Sequence, residues 1–152
     1  MSIPRFVAYA AAFEKAFDSD DWSVVEPFFA ADAEYEVGLG PPFTLESGSC
    51  IRGRDAILAY FKKTLDAFDR RFATREIVLL DGPREDGAAV WLRGRADYTS
   101  PHAPDLSFEL DEIATFDGDS IRRLEDRYDA ETIASIDAYI EAHGAALGFG
   151  ID

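Results

Sequence analysis

The chain has 152 residues, the length of a single domain, and we treat residues 1–152 as one domain. It carries 30 acidic against 15 basic residues, a formal charge of −15. This charge argues against a nucleic-acid partner and against an anionic membrane surface, because both are bound through cations. One cysteine and two histidines argue against an intrachain disulfide, a Cys-based zinc site and a His-rich metal centre.

Signals for targeting and for cofactors are few. The apolar stretch Phe6–Phe13 has about the length of a signal-peptide core, but Glu14 and Lys15 follow it directly. We therefore predict a cytoplasmic protein. None of the glycine spacings matches a nucleotide-binding fingerprint, so no cofactor is predicted.

The first part of the chain predicts helices. After Pro4, apolar residues recur at helical spacing and favour a first helix with one apolar stripe: Phe6, Tyr9, Ala10, Phe13, Ala16 and Phe17. Asp20 or Asp21 can cap a short second helix over Trp22–Phe29. Asp55 starts a third helix, whose apolar face comprises Ile57, Leu58, Phe61, Leu65 and Phe68.

A strand at Glu34–Val37 is followed by a long loop, Gly38–Gly53, which is rich in glycine and proline. Loops of this length are often lids or pocket rims. Phe43 and Leu45 are the large apolar side chains in its Gly38–Arg52 part. We expect that part to be mobile, with at least one of the two side chains over the mouth of a pocket.

The second part of the chain predicts strands, at Arg75–Leu80, Ala89–Thr99, Leu106–Phe116 and Ser120–Asp129. Asp81–Gly87 has the composition of a turn region, and Asp117-Gly118-Asp119 is a hairpin signal. Ala130–Leu147 can form a terminal helix. This order predicts an α+β fold in which the helices pack on one face of a curved sheet.

The whole chain resembles the NTF2-like superfamily, in particular its SnoaL-like and ketosteroid-isomerase-like branches. The stretches that carry the likeness are Phe13–Val37, Gly53–Ile57 and Phe116–Asp129. The resemblance implies an NTF2-like (cystatin-like) α+β barrel: a cone in which a curved antiparallel sheet wraps around the N-terminal helices, with a pocket at the wide end. The resemblance does not select one activity, because this fold hosts isomerases, dehydratases, cyclases, epoxide hydrolases and non-catalytic binders.

The charges on two predicted strands indicate their register. Opposite charges meet if Arg95 faces Glu109 and Arg93 faces Asp111. That pairing sends the charged set and Trp91 to the outer face. It sends a mostly apolar set to the inner face: Leu92, Ala96, Tyr98, Phe108, Leu110 and Glu112. A buried Glu112 must be hydrogen-bonded, paired or protonated.

The next hairpin decides whether a second carboxyl joins Glu112. A three-residue loop at Gly118–Ser120 places Asp126 opposite Glu112, whereas a two-residue loop turns Asp126 outward. We prefer the first register because it buries Leu124 and Tyr128. Two carboxyls this close raise one pKa, so one can act as an acid and the other as a base. Alternatives stay open, in which one of them bonds the hydroxyl of Tyr9, Tyr35 or Tyr98, or Asp126 bonds backbone amides or an arginine.

The resemblance to ketosteroid isomerase fails at two positions. Phe13 stands where that enzyme has its oxyanion-binding tyrosine, and Val37 stands where it has its general-base aspartate. Glu112 matches the protonated aspartate of the oxyanion hole. Steroid isomerisation is therefore not predicted, although Tyr9, one helical turn before Phe13, can still supply a hydroxyl.

These considerations predict Glu112, Asp126 and Tyr9 as catalytic residues. The predicted ligand-binding residues are Phe13, Tyr35, Val37, Phe61, Leu65, Tyr98, Phe108 and Tyr128. Two functions stay open: a cofactor-free acid–base enzyme acting on an apolar cyclic small molecule, and a non-catalytic binding or dimerisation module. A homodimer through the outer face of the sheet, centred on Trp91, is also predicted.

Overall fold

The computed structural model describes residues 2–38 and 49–149. The helices are α1 (Ser2–Ser19), α2 (Arg54–Ala67) and α3 (Ala130–His143). The strands are β1 (Phe29–Glu36), β2 (Cys50–Arg52), β3 (Thr74–Asp86), β4 (Ala89–Ser100), β5 (Ala103–Asp117) and β6 (Ser120–Arg127). The α+β class predicted from the sequence is confirmed.

One curved, open sheet wraps around α1 and α2, with the strand order β2-β1-β6-β5-β4-β3. Its neighbours pair antiparallel except β1 and β6, which run parallel. The sequence prediction did not contain this parallel pair. It arises because the chain between β1 and β6 first builds the rest of the sheet and then returns beside β1.

Two predicted elements have different forms in the structure. In place of one short helix over Trp22–Phe29 there are two 3₁₀ turns, Trp22–Val24 and Glu26–Phe28. Pro27 has no N–H to donate to an α-helical bond, and the segment closes through i to i−3 bonds such as Val25 N–H to Trp22 O at 3.1 Å.

The predicted turn region Asp81–Gly87 is also different, because β3 continues through it as far as Asp86. Shifts of register against β4 after Leu79 and after Asp81 absorb Gly82 and Pro83 without ending the strand. The predicted lid, Gly38–Arg52, ends in β2. Its residues 39–48, which include Phe43 and Leu45, lie outside the described residues.

Two apolar clusters fill the interior. One joins α1, α2 and the β1–β6 side of the sheet around Phe6, Ile57 and Leu124. The other joins the β4–β5 side to α3 around Phe68, Phe108 and Ile136. None of the helices in the described ranges is long and apolar enough to cross a membrane.

Candidate functional site

A cavity of about 220 Å³ lies where the two apolar clusters meet, between α1, α2 and the inner face of the sheet. All eleven residues singled out in the sequence line it: Tyr9, Phe13, Tyr35, Val37, Phe61, Leu65, Tyr98, Phe108, Glu112, Asp126 and Tyr128. Alternation along β4, β5 and β6 explains this grouping, since every second side chain of a strand faces the same side. Their roles in binding or catalysis stay predictions.

The register of β4 and β5 is the one that the charges indicate. Arg93 pairs with Asp111, and Arg95 pairs with Glu109. Arg93 binds both outer-face acids, with 3.2 Å from Nε to Glu109 Oε1 and 2.9 Å from Nη1 to Asp111 Oδ1. Glu112 therefore lies on the inner face.

The hairpin between β5 and β6 also places Asp126 opposite Glu112, but by a different route from the one expected. Asp117 pairs with Ser120, so the loop has two residues rather than three. A shift of register between the Thr115–Arg123 and Phe116–Ile121 pairs then inserts one extra residue on β6. This bulge restores the inward direction of Asp126, which a two-residue loop alone would reverse.

Asp126 is held by a tyrosine. The hydroxyl of Tyr35 donates to Asp126 Oδ2 at 2.5 Å. Asp126 Oδ1 is buried, and no N–H or hydroxyl group in the described part of the chain donates to it. One alternative from the sequence, a carboxyl bonded to a tyrosine, is therefore present as the Tyr35–Asp126 pair. It leaves one oxygen of Asp126 for the partner carboxyl or a ligand.

The two carboxyls differ in basicity. Burial raises the pKa of Glu112 well above its usual range, and the charge of Asp126 and a hydrogen bond to it raise that pKa further. Burial also raises the pKa of Asp126, but hydrogen bonds from Tyr35 and Glu112 oppose this rise. Glu112 is therefore the weaker acid of the pair, and a proton that the two carboxyls share is held mainly by Glu112.

Two further hydroxyl groups, those of Tyr9 and Tyr128, belong to residues that line the same cavity. Burial raises the pKa of Tyr9 well above 10.0, with the charges of Glu112 and Asp126 adding to the effect. The pKa of Tyr128 rises by burial and then by the charges of Asp126, Asp69 and Glu112. Both hydroxyls are donors at neutral pH, and neither has a hydrogen-bond partner among the residues that the structure describes. Tyr9 is fixed by edge-on packing against the rings of Phe13, Phe28 and Phe29.

The sequence analysis missed a second polar cluster that also lines the cavity. Arg75 bridges Asp69 and Glu14, with 2.7 Å from Nε to Asp69 Oδ2 and 2.6 Å from Nη1 to Glu14 Oε2. The hydroxyl of Tyr98 donates to the same Asp69 oxygen at 2.9 Å. In the sequence, Asp69 looks like one of several surface charges before the strands. The signal for its burial was its place between Phe68 and Phe72, both of which are buried.

No group of three His, Cys, Asp or Glu side chains in the described ranges is arranged to hold a metal ion. The chemistry that these residues can supply themselves is proton transfer, from Glu112 and to Asp126, and hydrogen-bond donation from Tyr9, Tyr128 and Arg75.

A family model described as the SnoaL-like domain matches residues 9–124 of the chain. No curated protein matches its sequence significantly.

Among solved structures, TerC co-crystallised with polyporic acid is similar with a TM-score of 0.65 at 17% identity, over 90% of this chain and 98% of that one. An NTF2-like protein of unknown function from Burkholderia pseudomallei has a TM-score of 0.67 at 19% identity, over 90% and 97%. An M. tuberculosis LEH-like epoxide hydrolase has a TM-score of 0.61 at 18% identity, over 95% of each chain. At these identities the likeness is one of fold.

Proposed function

This chain belongs to the SnoaL-like domain family, and on that premise we propose that it binds an apolar, cyclic small molecule and transfers a proton on it without a cofactor. Reactions of this kind include isomerisation, dehydration, hydration and aldol-type cyclisation. Each of them needs one group to take a proton and another to give one.

The observation that carries the proposal is the direct opposition of Glu112 and Asp126 on neighbouring strands inside the cavity. Because Glu112 is the weaker acid of the two, Asp126 would act as the general base and Glu112 as the general acid. Tyr9 would donate its hydroxyl to oxygen that becomes negative during the reaction. Asp126 keeps its position through the bond from Tyr35.

The nature of the ligand follows from the lining. Apart from the polar groups already described, the cavity is surrounded by rings and aliphatic side chains, among them Phe13, Phe61 and Phe108. Rings favour offset or edge-on contacts with other flat groups. Small-molecule binding by this fold has a precedent in the TerC crystals with polyporic acid.

A general-base probe tests the proposal without knowledge of the natural substrate. In 5-nitrobenzisoxazole a base removes the ring C–H proton, the N–O bond breaks, and a coloured cyanophenolate is released. We expect the wild-type protein to accelerate this reaction and Asp126→Asn to lose the acceleration by about a hundredfold or more.

Glu141→Gln is the matched control, because it removes one exposed carboxylate of α3, outside the cavity and the outer face of the sheet. We expect it to keep the wild-type rate. A wild-type rate no higher than that of Asp126→Asn would favour the alternative function, a non-catalytic ligand-binding or dimerisation module. The Tyr35–Asp126 bond supports this alternative in so far as it gives Asp126 a structural role.

We also propose a homodimer through the outer face of the sheet. Support comes from the side chains that face outward there. Trp91 lies under the guanidinium of Arg84 at 4.4 Å, and Arg93, Glu109 and Asp111 present both signs of charge. A patch with both signs suits a two-fold contact between chains that each carry −15. A cytoplasmic location stays a prediction from the sequence.

A further inference from the structure

The cluster of Glu14, Arg75 and Asp69 joins three separate elements at the wall of the cavity. Glu14 comes from α1, Asp69 from the turn after α2, and Arg75 from the start of β3. The Arg75 side chain is 8% exposed, and its guanidinium stacks 4.7 Å from the ring centre of Phe17. An ionised group so well buried must have its donors satisfied.

The donors of Arg75 are only partly used. Nε donates to Asp69, and Nη1 donates to Glu14. Nη2 carries two more N–H groups, and the described part of the chain supplies no acceptor for them. Arg75 lines the cavity, and Nη2 is not fully buried, so water or an acceptor atom of a bound ligand can complete its hydrogen bonds there.

The charges around Arg75 restrict what that acceptor can be. Glu14 and Asp69 both lie in direct contact with Arg75, so with both carboxyls ionised the cluster carries one net negative charge. Burial raises the pKa of Asp69, but Arg75 and the bond from Tyr98 oppose this rise. Ionisation of the Glu112–Asp126 pair adds another negative charge to the same cavity. A ligand carboxylate would meet two net negative charges in surroundings of low polarity, where like charges repel strongly. An uncharged oxygen meets no such repulsion.

We infer that Arg75 is a ligand-binding residue of this cavity, which donates from Nη2 to an uncharged acceptor oxygen, such as a carbonyl, and that its Glu14 and Asp69 partners discriminate against anionic ligands. The inference rests on the proposed function, because it assigns the second polar contact of the same ligand.

The two polar sites line the same cavity of about 220 Å³, so one ligand can contact both. Charges from both sites also raise the pKa of Tyr128. A flat molecule of two or three rings, with an acceptor oxygen at the Arg75 end and its reacting atoms near Asp126, is the ligand that this arrangement fits.

A pair of probes of similar size isolates the Arg75 contact. 2-Acetylnaphthalene carries a carbonyl, and 2-isopropylnaphthalene has a methyl group and a hydrogen in place of its oxygen. We expect the wild-type protein to bind the ketone about tenfold more tightly, as for one hydrogen bond to a charged donor. In Arg75→Lys, which keeps the charge beside Asp69 but lacks the second amino group, we expect this preference to fall below about twofold. Unchanged binding of 2-isopropylnaphthalene shows that the variant is folded.

A gentler variant tests the discrimination against anions without touching Arg75. The Glu14 side chain is 45% exposed, so Glu14→Gln should fold. It removes one negative charge beside Arg75, and we expect it to strengthen the binding of 2-naphthoate about fivefold. Glu141→Gln removes the same charge from the exposed surface of α3 and should change that binding less than about twofold.

The outcomes separate this inference from the proposed function. Absence of the ketone preference, or its survival in Arg75→Lys, overturns the inference alone. If the ketone preference is lost in Glu112→Gln but kept in Arg75→Lys, the ketone oxygen binds at the carboxyl pair. This result also overturns the inference. Failure of both neutral probes to bind overturns the inference together with the proposed binding of an apolar molecule. The 5-nitrobenzisoxazole assay reports on Asp126 independently of all these results.

Discussion

Glu112 of β5 and Asp126 of β6 are direct register partners, and both side chains line the cavity on the inner face of the sheet. Tyr35 fixes Asp126 from β1 through a bond of 2.5 Å. The pair therefore combines one acid that strongly resists ionisation with one whose raised pKa is partly offset by hydrogen bonds. The consequences can be measured separately on each residue.

Glu112→Gln should change how stability depends on pH. The folded-state pKa of Glu112 is raised, so its protonated form stabilises the fold below the unfolded carboxyl pKa of about 4.3. That contribution is lost as the pH rises towards the folded value, by about 1.4 kcal/mol for each pKa unit. Glutamine resembles the protonated acid but does not ionise, so the variant keeps this stabilising contribution as the pH rises. In urea unfolding, the free energy of unfolding of the variant should rise relative to that of wild type between pH 4 and pH 8.

The matched control for this experiment is Glu141→Gln, which makes the same change of charge on the exposed surface of α3. Its difference from wild type should stay nearly constant over that range. A constant difference for Glu112→Gln as well would contradict the raised pKa.

Tyr35→Phe should make Asp126 a weaker acid and a less well fixed base. The bond from Tyr35 lowers the pKa of Asp126, so its loss raises that pKa. The rising limb of the rate of 5-nitrobenzisoxazole cleavage should move to higher pH. Leaving the carboxylate without this donor should also reduce the free energy of unfolding by about 1–3 kcal/mol.

Tyr60→Phe serves as the comparison, since its ring packs 5.8 Å from that of Tyr35 but no bond to Asp126 is lost. The pH profile of this variant should coincide with that of wild type. Equal shifts in both variants would mean that general loosening of the cavity, rather than the bond, controls Asp126.

Gly38→Ala should disturb the site through the backbone. A Cβ at Gly38 would lie 2.2 Å from the carbonyl oxygen of Asp126 and 2.7 Å from the ring of Tyr128. Neither distance is possible, so β6 must move, at about 1–3 kcal/mol of unfolding free energy. At Gly94, which also lines the cavity, the nearest atom would be 3.5 Å away. In urea unfolding, the free energy of unfolding of Gly94→Ala should be within about 0.5 kcal/mol of wild type. Equal losses of unfolding free energy in the two variants would contradict the close approach at Gly38.

The proposed dimer is tested by light scattering at micromolar concentration. We expect a mass of twice 16.8 kDa for the wild-type chain. Trp91→Ala combined with Arg93→Glu should give a monomer, because it removes the large aromatic side chain and reverses a charge in the patch. A monomeric wild type would refute the dimer. A dimer that survives the double variant would place the contact on another face.

The sequence by itself determined the class of the fold and the register of β4 with β5. Alternating apolar residues mark strands whose inner face is buried. The opposite charges of Arg93 with Asp111 and of Arg95 with Glu109 select one alignment out of several. That alignment alone places Glu112 among apolar neighbours, so one half of the candidate site followed from local patterns.

Only the tertiary structure decided the other half. A one-residue bulge on β6 turns Asp126 inward despite the two-residue loop. It leaves buried Ile121 and Leu124 three positions apart, a break in alternation that does not by itself show which loop precedes it. The cluster of Glu14, Asp69 and Arg75 was hidden for a related reason. Glu14 is far from Asp69 and Arg75 in the chain, and each of the three looks like a solvated charge until α1, the turn after α2 and β3 bring them together. Local patterns fix which face a residue takes within its own element, but contacts between distant elements are set by how those elements pack.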